Sequence, residues 1–286
     1  MKNIAYSLLL MAGLAACNRA EQPVEQPKAA AVVTPVAPQP PAATKINEAE
    51  LMRAVFGDAY KEADKQALAT LVVDGRQMPH AMTPVASTQL PDGRVVLIVN
   101  GAPAADDGSS MVIHPSPGVL NVYLLRREGD HWTVQQRHQS VADLGSDGSI
   151  GSVKWVTLAP GKPGFIVSHG GVWQGYAITN AAIFELGANV RRLGGFKEAS
   201  TNQGACVPEV KECWNVAGDI SFAAEAQQSG YNDIVVSFGD KRYTVTEEKN
   251  HDLVEHVRSE TKISARYHFN GKQYDLASGA NPVPDF

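Results

Sequence analysis

Three short runs of consecutive apolar residues recur at a fixed interval in this chain. They are Val95-Val96-Leu97-Ile98-Val99, Phe165-Ile166-Val167 and Ile234-Val235-Val236. Measured at Leu97, Ile166 and Val235, the interval is 69 residues both times. A short apolar run bounded by turn residues suits a strand buried on both faces. Each run is followed by two more strand-like segments around a tight turn. Residues 121–126 and 131–136 flank Glu128-Gly129-Asp130; residues 181–186 and 190–193 flank Gly187-Ala188-Asn189; residues 265–269 and 272–276 flank Asn270-Gly271. The Asn-Gly pair predicts a two-residue type I′ turn. A repeated strand, loop, strand, turn, strand unit is the pattern of stacked antiparallel sheets. The expected fold class is therefore mainly β, with repeated antiparallel sheets in a small propeller-like arrangement and a β-sandwich as the alternative. Closed propellers usually need more than three blades.

The 286 residues divide into three stretches: 1–16, 17–44 and 45–286. With 44% apolar and 19% charged residues the whole chain has an ordinary globular balance, and its folded part is the long third stretch. It opens on Asn47-Glu48-Ala49-Glu50, an N-cap with an acid three residues on. Leu51, Met52, Val55, Phe56 and Tyr60 follow at helical spacing. Gly57 is expected to end or kink this helix, and a second short helix is expected around residues 60–71. The period-two pattern begins near Met82.

An odd cysteine in a secreted protein calls for an explanation, and there are three here. The apolar stretch 4–14 is too short for a stable span and ends in Leu14-Ala15-Ala16-Cys17. This resembles the lipobox of bacterial lipoproteins, which implies a signal peptide over 1–16 and acyl chains on Cys17. More than one chain would make the membrane anchor effectively permanent. The resemblance also implies the periplasm, and Asn18 rather than Asp favours the outer membrane. Residues 18–44 are rich in Ala, Pro, Gln and Val, an extended tether. At about 3 Å per residue it could reach roughly 80 Å from the membrane. Cys206 and Cys213 would then be oxidised to a disulfide closing a small loop. Such a loop contributes roughly 2–3 kcal/mol by chain-entropy arithmetic.

The formal charge of −5 argues against a nucleic-acid partner. Motifs of catalysis are thin. In His251-Asp252-Leu253-Val254-Glu255-His256 the histidines are five apart, about 140° around a helix, so they do not share a metal-binding face. Ser259-Glu260-Thr261-Lys262 has the Ser-x-x-Lys spacing without a companion Lys-Thr-Gly, and His169-Gly170-Gly171 lacks a Gly-x-Ser-x-Gly elbow. No catalytic residue is expected and no cofactor is required. Calcium is possible in residues 143–149, where Asp143 and Asp147 are the candidate ligands among small residues. Gly230-Tyr231-Asn232-Asp233-Ile234-Val235-Val236 is similar to the strand entry of FG-GAP propeller repeats, whose preceding loop often binds calcium. A calcium- or glycan-binding envelope module is the alternative function.

The most individual stretch is Ser168-His169-Gly170-Gly171-Val172-Trp173-Gln174-Gly175-Tyr176. Its glycines permit tight turns or close approach. Trp173 and Tyr176 are side chains that dominate interface energies. Inward packing of these aromatics would serve a plain hairpin equally well. Together with the lipobox, the tether and an acidic β-rich region, the stretch resembles periplasmic lysozyme inhibitors, especially those of i-type lysozymes. It is similar also to the lipoprotein immunity proteins of the Xanthomonas-type bacteria-killing type IV secretion system. Inhibitors of this kind carry a Ser-Gly-x-x-Tyr loop; here His169 stands between Ser168 and the glycines, and Tyr176 lies further on. The resemblance covers most of 45–286. It implies that Ser168, His169, Gly170, Gly171, Trp173, Gln174 and Tyr176 form an inhibitory loop. That loop would enter the cleft of a lysozyme-like peptidoglycan hydrolase or secreted effector, where Tyr176 or Ser168 meets the catalytic acid and Trp173 fills a sugar subsite.

Overall fold

Asn47 starts the first element as its sequence requires. In a computed structural model, which describes residues 46–226 and 229–285, its Oδ1 accepts from the Ala49 amide at 3.1 Å. This caps α1 (Glu48–Phe56), which stops at Gly57 with φ 57°. Leu51, Met52 and Val55 form its buried stripe. Cys17, the signal peptide 1–16 and the tether 17–44 lie outside the described residues. No helix among the described residues is long and apolar enough to cross a membrane.

The expected second helix is not formed. Residues 60–71 instead enter β1 (Tyr60–Lys61) and β2 (Gln66–Val73). The Ala- and Leu-rich segment favours helix locally. It is overridden by pairing with β3 (Arg76–Gln89) across a two-residue turn, Asp74-Gly75, with φ 49° and 74°. The remaining strands are β4 (Val95–Pro103), β5 (Gly118–Glu128), β6 (His131–Leu144), β7 (Ser152–Ala159), β8 (Lys162–Trp173), β9 (Tyr176–Leu186), β10 (Val190–Thr201), β11 (Cys213–Ala226), β12 (Asn232–Glu247), β13 (Leu253–Phe269) and β14 (Tyr274–Gly279).

By connectivity these are three successive antiparallel meanders: β3–β6, β7–β10 and β11–β14. The apolar runs at Leu97, Ile166 and Val235 are the second strand of each, β4, β8 and β12. The chain is mainly β, as expected. The strands also pair beyond their own meanders. They form a six-stranded sheet, β1-β2-β3-β4-β5-β6, and an eight-stranded sheet, β11-β12-β13-β14-β10-β9-β8-β7. The cause is β10, which besides β9 reaches two strands of the third meander. Its residues Ala199, Ser200 and Thr201 pair with β11, and Gly194 pairs with Tyr274 of β14. This fuses the second and third meanders, and the two-sheet result is compatible with the sandwich alternative.

Along the central strands successive side chains enter two different cores. On β4 and β5, Val95, Leu97, Val99, Val119, Tyr123 and Leu125 join α1 in one core. Val96, Ile98, Leu120, Val122 and Leu124 point the other way, onto Phe165, Val167, Ala182 and Phe184 of the second sheet. The opposite face of that sheet packs Ile166, Ala181 and Ile183 against Val236, Phe238 and Tyr267 of the third meander. The ring planes of Phe165 and Phe184 stack at 5.0 Å in the central core. Polar ties fix the layers. Lys154 on β7 donates to the carbonyl of Ile220 on β11 at 3.0 Å. Burial pushes the Asp233 carboxyl up, but bonds from His268 (2.8 Å) and Arg266 (2.6 Å) outweigh it and hold the group below its ordinary value.

The Asn270-Gly271 expectation is corrected. Phe269 pairs with Tyr274, so the connection is four residues long. The Asn270 side chain accepts from the amides of Lys272 (2.8 Å) and Gln273 (2.9 Å), which opens the two-residue turn into a wider loop. The disulfide between Cys206 and Cys213 is present, and packs on Tyr243 and Val245.

Because Phe184 lies wholly buried where both sheets meet, Phe184→Ala is expected to cost roughly 3–5 kcal/mol of unfolding free energy. Denaturant titration checks this; a loss below about 1 kcal/mol would contradict a core shared between the sheets.

Candidate functional site

Residues 168–176 are not a free loop. They are the end of β8, a two-residue turn, and the start of β9, with Trp173 paired to Tyr176. Gln174 and Gly175 take φ 49° and 84°, the conformation of a type I′ turn. Gly175 also lies against the segment that follows β10: a Cβ there would come 2.3 Å from the carbonyl carbon of Gly204. The Gly204 amide donates to the Gly175 carbonyl at 3.1 Å. At Gly170 a Cβ would stand 1.8 Å from the carbonyl oxygen of Ile178, so only glycine lets β8 and β9 approach this closely. Gly171 leaves room for the Ser146 side chain, whose hydroxyl donates to the Gly170 carbonyl at 3.1 Å.

Strand geometry separates the candidate residues. Ser168 pairs with Ser152 on β7 and Ala181 on β9, half-buried inside the sheet. At about 3.4 Å per residue it is roughly 17 Å back from Trp173. His169 accepts from the Gly145 amide at Nδ1 (3.2 Å), and burial followed by the nearby Arg192 charge pushes its pKa down. Tyr176 is half-buried and tilted against Trp214 at 5.8 Å. Trp173 alone of the aromatics projects, at 58% exposure, beside exposed Val172. The stretch therefore places Trp173, Gln174 and Tyr176 at a tip and Ser168 and His169 within the sheet.

Two residues outside the stretch complete the tip. The His114 ring stacks on Trp173 at 5.5 Å with 22° between planes. Its Nε2 meets the Val172 carbonyl at 2.6 Å and its Nδ1 meets the Asp147 carboxylate at 2.9 Å. Both partners are acceptors, so the imidazolium, in which both ring nitrogens donate, is the form that satisfies both bonds. The Asp147 bond first, and the Val172 bond second, raise the His114 pKa above its ordinary value. The same bond, with one from Ser146, lowers that of Asp147. His114 carries with it exposed Met111 and Ile113, and the segment touching Gly175 leads to exposed Val207. Asn100 anchors the Asp147 turn from below: it donates to the Gly148 carbonyl at 2.8 Å and accepts from the Ile150 amide at 3.0 Å.

This geometry redistributes the proposed calcium ligands. Asp147 is bonded to His114 and Ser146, whereas Asp143 on β6 lies near Asp74 and His80; burial first and Asp74 second raise its pKa. Among the described residues no three His, Cys, Asp or Glu side chains gather to hold a metal ion. The run from His251 to His256 spans the end of the β12–β13 connection and the exposed start of β13, in keeping with a solvent-facing segment. Sequence reasoning did not find His114, because 33 residues separate it from Asp147 and 58 from Val172.

The His114–Asp147 tie has a defined pH window. His114 has a raised pKa, so its contribution is full below the ordinary histidine value and is lost as pH rises through the raised one. Asp147 has a lowered pKa, so its contribution is lost as pH falls through that lowered value. Asp147→Asn is expected to bring the His114 titration back toward about 6.5, read from its ring proton shifts by NMR. An unchanged midpoint would show that Asp147 does not hold the imidazolium. Comparison with protein-family models, curated proteins and solved structures found no match to this chain.

Proposed function

We propose that this protein is a lipid-anchored periplasmic inhibitor or immunity protein, held at the outer membrane, that blocks a lysozyme-like peptidoglycan hydrolase. It binds and does not catalyse. The observation that supports this most directly is the Trp173 tip: a large aromatic held out into solvent on a turn braced by His114 and by the Gly204 segment. Rigid exposed aromatics of this kind bind clefts at low entropic cost, because little freedom remains to be lost on docking.

The residue roles follow the geometry. Trp173 enters the cleft first and occupies a sugar subsite. Val172, Met111 and Ile113 supply the apolar surround. Tyr176 and Ser168, half-buried, support the hairpin rather than lead it. The acidic chain gains association rate against a basic hydrolase through steering. The three meanders, on this reading, are blade-like units of a small propeller-like stack whose rim presents the tip; a β-sandwich would present it equally.

The test is peptidoglycan lysis by a panel of lysozymes and secreted hydrolases, with and without the purified protein. Inhibition of one member is expected, and Trp173→Ala should weaken it by at least about 30-fold, or 2 kcal/mol, with an unchanged melting temperature. Absence of inhibition and of any complex across the panel would sink the proposal. Full potency in the Trp173 variant would show that the tip is not the inhibitory element.

A further inference from the structure

The face of the second sheet that carries Phe165, Val167, Ala182 and Phe184 is covered by the first sheet only along part of its length. Beyond that cover the same face turns polar. Register places His169 of β8, Asn180 of β9 and Lys197 of β10 side by side in one cross-strand row. With Arg192, Lys272, Gln273, Leu276 and Asn281 they line a groove of about 870 Å³. None of its lining residues is an acid, although the chain as a whole carries −5.

The lining groups differ in what they have left to offer. Lys197 is paired with Asp285 at 2.7 Å. Gln273 donates to Asp275 at 2.8 Å, and Asn281 donates to the Lys197 carbonyl and the Tyr267 hydroxyl, both at 2.8 Å. These three are structural. Arg192 and Lys272 form no ion pair among the described residues, and the Asn180 side-chain carboxamide has no hydrogen-bond partner among them. His169 accepts at Nδ1 from Gly145, so in the neutral ring its proton sits on Nε2, a further donor with no partner among the described residues. Burial first, and the Arg192 charge second, favour that neutral form.

Two free cations, an imidazole N–H and a carboxamide thus converge on one concavity. A planar guanidinium recognises carboxylate and phosphate oxygens in a bidentate fork, and a carboxamide pairs with hydroxyls as donor and acceptor at once. We propose that this groove binds a small oxyanion carried on a hydroxyl-rich body, a sugar acid or a sugar phosphate. Arg192 and Lys272 hold the charged group, and His169 and Asn180 hold neighbouring oxygens. This site is separate from the Trp173 tip and does not depend on the inhibitor reading.

The full chain is titrated with glucuronate, glucose 1-phosphate and uncharged glucose, followed by calorimetry and by NMR of the His169 ring and Asn180 amide. Saturable binding of at least one acidic sugar is expected, with shifts at both residues and at least tenfold weaker binding of glucose. Which acid binds distinguishes a carboxylate site from a phosphate site. The R192A/K272A double variant, altered only at exposed side chains, should keep its melting temperature and lose affinity at least tenfold. Failure of both acids to bind, glucose binding as tightly as either, or a double variant that binds like the parent would each overturn the proposal.

Discussion

The central core between the two sheets is the contact on which the other layers depend. Val96, Ile98, Leu120, Val122 and Leu124 meet Phe165, Val167, Ala182 and Phe184 there. Because β4 and β5 also carry α1 on their other face, and β8 and β9 carry the third meander on theirs, no central strand has a solvent face. A strand enclosed on both sides cannot alternate apolar with polar residues; it must be apolar throughout. Enclosure alone does not fix register, since a slip of one residue would exchange the two cores without exposing either; the shapes of large core side chains such as Tyr123, Phe165 and Phe184 must distinguish them.

That enclosure is why the strands were legible in the sequence. The runs near Leu97, Ile166 and Val235 could be recognised without any periodicity, and their spacing reported three like meanders. The three-residue connection at Gly187-Ala188-Asn189 was equally readable, with Leu186 paired to Val190. What could not be read was long-range choice. Nothing local to residues 60–71 shows that β3 will recruit them. Nothing in β10 shows that Gly194 will meet β14 while Ala199 meets β11, and this pairing turns three meanders into two sheets. Asn270-Gly271 failed for a different reason: the asparagine side chain captured two backbone amides, a local competition that a dipeptide rule does not weigh.

The candidate site shows the same division. The glycines at 170, 171 and 175 were singled out for close approach and tight turns, and their surroundings have that character. Contiguity in sequence suggests one loop, whereas strand alternation sends its members to different places. Trp173 goes to the tip. Ser168 stays in the sheet, and His169 turns to the groove over β9 and β10. The strand from Ser168 to Trp173 is about 17 Å long, so a contiguous motif on a hairpin need not be a contiguous surface.

The tip's rigidity comes from outside the hairpin. A two-stranded end with a type I′ turn is marginal by itself. Here the imidazolium of His114 spans the Val172 carbonyl and the Asp147 carboxylate, and Asn100 fixes the Asp147 turn to β4. The position of Trp173 is thereby referred to the central core through three side chains. The brace is charged, exposed and dependent on protonation, whereas its foundation is buried and neutral. Changes in pH should therefore loosen the tip while leaving the sheets, and the groove lined by Arg192 and Lys272, where they are.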